Sequence, residues 1–302
     1  MSSIKNVAVV GASGNLGAPV LKAILDSGKF NVTVITRPVS KSTFPSEVKV
    51  IKADYTSVDS LTSALKGQDA VVSTVGTDGF QGQAILIDAA IAAGVKRILP
   101  SEFGSDYSNP KSAALPVFGY KVAIRKHLED KIAAGANITY TYVVNSLFLD
   151  WGIDVGFLLD LKSAEPKLYN GGEYIFSTTT LASVGQAVVG VLSHPEETKN
   201  RTVYVQDLVI SQKRVLELAQ KVAPEKKWTP VNASLQDLEK WAYGKLAEGD
   251  YSMPVMLSFI NVGMFQDGYG SRFEKLDNEL LGVTGKTEAD VENMLRKVLA
   301  SN

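Results

Sequence analysis

Short apolar runs rich in β-branched residues alternate with helix-like segments along the first half of the chain. The runs are Val7–Gly11, Val32–Arg37, Val48–Asp54, Asp69–Gly76, Val95–Phe103 and Ile138–Ser146. Between them, helical periodicity occupies Asn15–Ser27, Ser57–Lys66, Gln81–Ala93 and Pro116–Ala134. Continuous apolar runs are typical of strands buried on both faces of a sheet. The alternation therefore predicts an α/β fold, a doubly wound parallel sheet with right-handed crossovers.

The second half of the chain has a different rhythm, which predicts a smaller, mostly helical lobe. Helices are expected at Leu181–Leu192, Ser211–Val222, Ser234–Leu246 and Thr287–Leu299, and a strand at Thr202–Gln206. Lys167–Thr178 predicts a hairpin that turns at Asn170-Gly171-Gly172. The Met-rich and aromatic run Tyr251–Tyr269 is either an ordinary core helix or a substrate lid. We place a first domain at residues 1–150 and the lobe at 151–302, with some lobe segments returning to the first domain.

Composition and charge restrict the class of protein and its partners. The 302 residues are 45% hydrophobic and 21% charged, and 31 basic against 32 acidic residues leave a net charge of −1. This balance offers no basic surface for nucleic acid or for an anionic membrane. The chain has no cysteine and only two histidines, so a metal site is not expected. Since we find no signal peptide and no apolar stretch of roughly 18 residues, we expect a soluble, cytoplasmic monomer or homodimer.

A glycine motif follows the first predicted strand and opens the first predicted helix. It comprises Gly11-Ala12-Ser13-Gly14-Asn15-Leu16-Gly17. In a strand–turn–helix context, such glycines permit a sharp turn, close approach of a pyrophosphate and tight packing of the helix on the sheet. The helix amino terminus adds N–H donors and a partial positive charge. We therefore predict a Rossmann-type dinucleotide site; the alternative is a plain glycine-rich turn.

Residues at the ends of the next strands indicate which dinucleotide binds. Arg37 stands where NAD-binding proteins usually have an acidic residue, and Lys41 follows closely, so both favour the 2′-phosphate of NADP. The alternative for Arg37 is a solvated loop charge. Asp54 ends the third strand and either accepts a hydrogen bond from adenine or caps the next helix. Thr74-Val75-Gly76 ends the fourth strand beside the expected cofactor path, where small side chains let the backbone approach a ribose.

These residues, together with two further motifs, resemble the NmrA-like, isoflavone-reductase-like family of atypical short-chain dehydrogenases. The matching stretches are GASGNLG at Gly11–Gly17, Arg37, STVG at Ser73–Gly76, GVKRILPSEFGSD at Gly94–Asp106 and YKVAIRKHLE at Tyr120–Glu129. The resemblance implies that Lys121 is a general acid or base and that Arg125, on the same helix face, contacts NADP. The wider dehydrogenase pattern Tyr-x-x-x-Lys is absent, because Val117 precedes Lys121 by four residues.

Further candidates follow the fifth and sixth predicted strands, at the carboxyl ends where open α/β sheets bind ligands. Ser101 and Phe103 either contact substrate or pack against the lysine helix. Asn145 is a candidate cofactor ligand, and Leu147 and Phe148 are expected to border the nicotinamide.

The lysine helix suggests a reaction. Lys121 is expected to point inward with Ile124 and Leu128, and desolvation then lowers its pKa toward neutrality. His127 is expected to be solvated and His194 to end a helix. We predict an NADPH-dependent reductase of a small aromatic or phenolic metabolite, with Lys121 moving the balancing proton. The alternatives are a non-catalytic dinucleotide sensor that binds a partner protein, and a redox-neutral dehydratase or isomerase.

Overall fold

Seven parallel strands form the central sheet of the computed structural model, which describes residues 3–76, 79 and 82–300. They are β1 (Asn6–Val10), β2 (Asn31–Thr36), β3 (Lys49–Lys52), β4 (Ala70–Ser73), β5 (Arg97–Leu99), β6 (Thr139–Val144) and β10 (Arg201–Tyr204), numbered along the chain. Their spatial order is β3-β2-β1-β4-β5-β6-β10. This order confirms the predicted doubly wound sheet. It reverses direction between β1 and β4, where sheets of this kind form a ligand-binding crevice.

Helices cover both faces of the sheet, because its inner strands are buried on both sides. The helices of the first half are α1 (Gly17–Asp26), α2 (Val58–Leu65), α3 (Gln83–Ala92), α4 (Pro110–Ala113) and α5 (Gly119–Ala133). On one face, α1 packs against Val7 and Val9 of β1. On the other, α2, α3 and α5 pack against Ala8 and Val10 of the same strand. Alternate residues of β1 thus belong to two separate cores, as strand geometry requires.

The second half adds elements to the central sheet and builds a third core beside it. Its helices are α6 (Leu149–Asp154), α7 (Leu181–Ser193), α8 (Gln212–Val222), α9 (Leu235–Ala247), α10 (Met253–Phe265), α11 (Asn278–Leu281) and α12 (Glu288–Ala300). Its other strands are β7 (Leu147–Phe148), β8 (Lys167–Tyr169), β9 (Phe176–Thr179), β11 (Leu208–Ile210) and β12 (Val231–Ala233). β10 extends the central sheet beside β6, and α7 packs on α1. The third core centres on Phe259 and Phe265 of α10, with Leu235 and Leu295 against them.

The predicted hairpin at Lys167–Thr178 is wrong. β8 pairs with β12, whereas β9 pairs with β7 and β11, so the two segments belong to different sheets. The turn between them is fastened to other elements. Tyr169 N–H donates to Gln212 Oε1 at 2.8 Å, and Gly171 N–H donates to Asn232 Oδ1 at 2.7 Å. The Gln212 and Asn232 side chains accept from backbone N–H groups that a hairpin would use between its own strands. The sequence of the turn alone does not reveal such distant partners.

Local start signals in the lobe have the predicted structure. Ser234 caps α9 by accepting from Asp237 N–H at 3.1 Å, and Asp290 accepts from Thr287 N–H at 2.8 Å before α12. Aspartate therefore fills the capping-box position where glutamate is commoner. Gln81, the predicted start of the third helix, lies outside the described residues. Within the described part of the chain, no helix is both long and apolar enough to span a bilayer.

Candidate cofactor loop and proton-transfer site

Backbone contacts fix the glycine loop against the end of the neighbouring strand. Gly11 has a φ of 84°, and a Cβ there would lie 2.8 Å from the Thr74 carbonyl carbon. A Cβ on Gly17 would lie 2.0 Å from Gly11 O. No side chain fits at either position, so the loop brings α1 directly against the carboxyl ends of β1 and β4.

The middle of the loop faces away from the protein. A Cβ on Gly14 would meet no atom nearer than 3.4 Å, so protein packing does not demand glycine there. Ser13 and Asn15 beside it are exposed. The N-cap residue of α1, Leu16, provides no side-chain hydrogen bond to the helix, whereas Ser57 and Thr180 cap α2 and α7. An exposed loop with uncapped N–H donors has the chemistry of a phosphate cradle.

The residues expected at the adenosine end lie along the edge next to this loop. Arg37 follows β2 and is exposed, close enough to Tyr55 to oppose the rise that burial causes in the pKa of that phenol. Lys41 is also exposed. Asp54 does not cap α2, because its Oδ1 accepts from Thr56 N–H at 2.9 Å and the Ser57 hydroxyl caps the helix instead. The contacts of Asp54 thus remove the capping alternative and leave the adenine hypothesis untested.

A chain of contacts leads from the glycine loop to Lys121. Gly11 abuts Thr74 and Val75, and the Ser101 hydroxyl donates to Val75 O at 2.8 Å. Two residues beyond Ser101, the Phe103 carbonyl accepts from Lys121 Nζ at 2.9 Å. The loops after β1, β4 and β5 and the start of α5 therefore form one continuous edge at the carboxyl ends of the sheet.

Lys121 is a buried lysine, as predicted. Only 9% of the residue is exposed, with Ile124 and Leu128 on the same helix face. Its ammonium lies 5.3 Å from the ring centroid of Tyr107. Burial lowers the pKa of Lys121 to about 8; the Glu102 carboxylate acts against this decrease and Arg125 adds to it. A lysine with this pKa gains and loses a proton near neutral pH.

Arg125 lies in a buried ion pair. Its Nε donates to Glu102 Oε2, and Glu102 is completely buried. The guanidinium also lies over the rings of Tyr107 and Tyr142, at 5.1 and 4.3 Å from their centroids. The family resemblance implies that Arg125 contacts NADP, and this role stays a prediction. The structure shows instead which protein groups it contacts.

The remaining candidates are buried in the loops around this edge. Ser101 N–H donates to Gln83 Oε1, and the Phe103 ring lies in the core under α1 and α7. Asn145 Oδ1 accepts from Gly104 N–H at 2.9 Å. Ser101 and Asn145 thus stabilise the loops after β5 and β6, and their roles toward ligands stay predictions.

Leu147 and Phe148, the two residues expected to border the nicotinamide, form β7. Leu147 packs in the third core and is 3% exposed, while Phe148 is half-buried against the core under α1. Ser146, just before them, has a φ of 54°, and its hydroxyl donates to Ser271 O at 2.9 Å. Leu147 and Phe148 lie just after the end of β6, as expected, and their contact with a nicotinamide stays a prediction.

Both histidines lie away from Lys121. His127 Nε2 is 3.0 Å from Asp88 Oδ1, so the residue expected to be solvated is partly buried beside an acid on α3. His194 is the C-cap residue of α7, as predicted. The described residues contain no cluster of three or more His, Asp and Glu that could hold a metal ion.

Two residues of the site were missed in the sequence. Glu102 stands between Ser101 and Phe103, and Tyr107 follows in the same loop. The available signal was chemical. An acid directly after a buried strand needs a cation nearby, and Lys121 and Arg125 are the buried cations of the next long helix.

The strand order and the position of the glycine loop define a protein of the Rossmann-type dinucleotide-binding class. Within that class, residues 3–240 match the model of the NmrA-like family, and the chain belongs to this family. The resemblance inferred from the motifs is thereby confirmed.

Known proteins are similar to this chain over nearly its whole length. Oxidoreductase poxI of Penicillium oxalicum is 36% identical over 293 residues, covering 93% of this chain and 90% of that protein. A solved structure of AtPrR2 with NADP+ and (+)pinoresinol has a TM-score of 0.79 at 24% identity and covers 99% of both chains. An isoflavone reductase structure has a TM-score of 0.76 at 20% identity, covering 98% of this chain and 99% of that one. The structures confirm the fold, and the full-length relative confirms the predicted class, an oxidoreductase.

Proposed function

We propose that the protein is an NADPH-dependent reductase of a small aromatic or phenolic metabolite, in which Lys121 donates the balancing proton. The observation that supports this most is the buried Lys121, whose contact with Phe103 joins it to the edge formed by the glycine loop. The similar structures support the cofactor and the substrate class, since one contains NADP+ and (+)pinoresinol and another is an isoflavone reductase.

The residues around the crevice between β1 and β4 fit an NADP molecule. The exposed residues Ser13 and Asn15 and the uncapped start of α1 offer N–H donors to a pyrophosphate, and Arg37 offers a guanidinium to a 2′-phosphate. When bound, NADPH supplies a hydride, which is chemistry that no side chain provides.

Lys121 completes the reaction by moving a proton. Phe103 O holds the ammonium at the carboxyl end of the sheet, and the Tyr107 ring lies beside it. Burial keeps bulk water from this nitrogen and lowers the pKa to about 8, so that the protonated form is the main species at neutral pH and still gives up its proton. When a hydride adds to an electrophilic carbon of the substrate, the electron pair of the bond that breaks at this carbon moves to the neighbouring atom, and Lys121 donates its proton to that atom.

The test is a screen for turnover. Purified protein is mixed with NADPH and a panel of aromatic and phenolic compounds, and loss of NADPH absorbance is followed. We expect at least one compound to be reduced at a rate that depends on Lys121. Tight NADPH binding with no reduction across the panel would favour the sensor hypothesis.

Cofactor preference provides a second prediction. Arg37→Ala should weaken NADPH binding about ten- to a hundredfold, because a charge-assisted contact to the 2′-phosphate is lost. NADH affinity should not change, since NADH has no such phosphate. Titration calorimetry measures both, and Lys41→Ala, measured in parallel, separates the two exposed cations. Equal affinity of the native protein for the two dinucleotides would contradict the assignment.

The pH dependence of reduction follows from Lys121. The protonated lysine is the acid, and its pKa is about 8, so the rate should be constant at neutral pH and fall as the pH rises through about 8. The measurement is the single-turnover rate of NADPH oxidation, with cofactor affinity determined at each pH as a control. A rate that stays constant well above pH 8 would exclude Lys121 as the acid.

A further inference from the structure

Glu102 is a buried acid with no part in the mechanism described so far. It is fully buried in the loop after β5, and one carboxylate oxygen, Oε2, accepts from Arg125 Nε. The other oxygen, Oε1, is buried with no hydrogen-bond partner, and so is Arg125 Nη2. A buried ion pair that leaves polar atoms without hydrogen bonds costs folding free energy, so it is a poor means of joining a loop to a helix.

Packing alone does not require this pair. Ile124 and Leu128 already fix α5 in the core with the sheet. Buried ion pairs are weak evidence for stability, since apolar residues of similar volume often replace them without loss. The location of the Glu102–Arg125 pair is more informative. Lys121 is one helical turn before Arg125, and its ammonium donates a hydrogen bond to the carbonyl of Phe103, the residue next to Glu102.

We propose that Glu102 is a positioning residue for the reaction, and that its buried pair with Arg125 sets the charge environment in which Lys121 transfers its proton. The inference rests on the proposed function of Lys121. The two charges act on the lysine in opposite directions: the carboxylate stabilises the ammonium and the guanidinium destabilises it. Burial has the largest effect on the pKa of Lys121, the Glu102 carboxylate the next largest and the Arg125 guanidinium the smallest.

Other groups face this cluster from the elements packed against it. The Tyr107 ring contacts both cations, and the Tyr142 ring from β6 contacts Arg125. The Tyr142 hydroxyl lies 3.1 Å from Glu129 Oε1, and Glu129 acts on Glu102 as a like charge. The Tyr204 hydroxyl donates to Asp106 Oδ2 at 3.1 Å, and the Asp106 carboxylate acts on the Tyr107 phenol and raises its pKa. Burial raises the pKa of the Tyr107 and Tyr142 phenols, so both stay neutral when Lys121 titrates.

Single and double substitutions separate the two charges. Glu102→Gln leaves the guanidinium beside Lys121 without its counter-charge and should lower the pKa of Lys121 by about one pH unit or more. Arg125→Gln removes the repelling charge and should raise it. The double variant removes both charges, so its value should lie between those of the two single variants. Opposite signs in the single variants are the signature of electrostatics, because a structural role moves both in the same direction.

The measurement needs no substrate. Protein with 13C at the lysine Cε positions is titrated by NMR, and the Lys121 signal is identified as the one missing in Lys121→Met. We expect a midpoint at about 8 in the native protein and a lower midpoint in Glu102→Gln. Asp130→Asn is the matched control, since this exposed acid of α5 pairs with Lys126 and should leave the midpoint unchanged. An unchanged midpoint in a folded Glu102→Gln protein would overturn the proposal.

Folding and function are tested separately. Where Glu102→Gln alone does not stay folded, the same change is made in the Arg125→Gln background, because the double variant leaves neither member of the buried pair without its partner. The double variant should then titrate at lower pH than Arg125→Gln, and equal midpoints would refute the role of Glu102. A shifted midpoint combined with full turnover of Lys121→Met would show that the pair sets the pKa of Lys121 while the proposed function, and with it the role of Glu102 in the reaction, is wrong.

Discussion

Lys121→Met should reduce NADPH-dependent turnover by about a hundredfold to ten-thousandfold. General acid catalysis contributes about that much, and methionine keeps an unbranched side chain without an exchangeable proton. The loss should fall on kcat and not on KM, because Lys121 acts in the chemical step. Stopped-flow measurement of NADPH oxidation with a compound from the screen gives the rate, and calorimetry verifies that the cofactor still binds.

Two further variants identify the cause of the loss. Lys121→Arg should fail as well, since a guanidinium keeps its proton at working pH. Lys126→Met is the matched control, because this exposed lysine of the same helix pairs only with Asp130 in the described contacts. If Lys121→Met reduced substrate at the native rate, the lysine would be a structural group and the reductase proposal would lose its acid.

Most of the central sheet could be predicted from local pattern alone. Its inner strands are buried on both faces, so each is a nearly continuous apolar run, and glycine at position 11 marks the first turn. The lobe was less predictable because its contacts are long-range. The turn at Asn170–Gly172 resembles a hairpin turn in sequence, yet Gln212 and Asn232, distant in the chain, determine where its strands pair.

Single positions in the candidate site were predictable where backbone geometry or family motifs fix them. Gly11 and Gly17 have spacing that only a tight βα turn explains, and Lys121 lies on an apolar helix face. Glu102 was missed because its importance depends on Arg125, which is 23 positions away in sequence. The same contact shows that Arg125, which the family resemblance places against NADP, is also one half of a buried ion pair. Pair interactions of this kind require the fold.

Gly17→Ala should have the largest effect on stability among the loop substitutions. The new Cβ would lie 2.0 Å from Gly11 O and 2.8 Å from Ala12 Cα, and both are backbone atoms that cannot rotate away. Forcing the helix off the loop should cost about 3 kcal/mol, a large share of the roughly 5–15 kcal/mol that stabilises a typical domain. Thermal and denaturant unfolding without cofactor measure the loss.

Gly14→Ala is the matched variant, and it should separate packing from ligand binding. Its Cβ would meet no protein atom nearer than 3.4 Å, so the free energy of unfolding should stay within about 0.5 kcal/mol of the native value. The methyl group would project from the exposed side of the loop, where the proposed pyrophosphate lies against bare backbone. Affinity for NADPH should therefore fall at least about tenfold by calorimetry, which corresponds to about 1.4 kcal/mol. A Gly14→Ala protein that binds NADPH with native affinity would show that the pyrophosphate does not lie over this glycine.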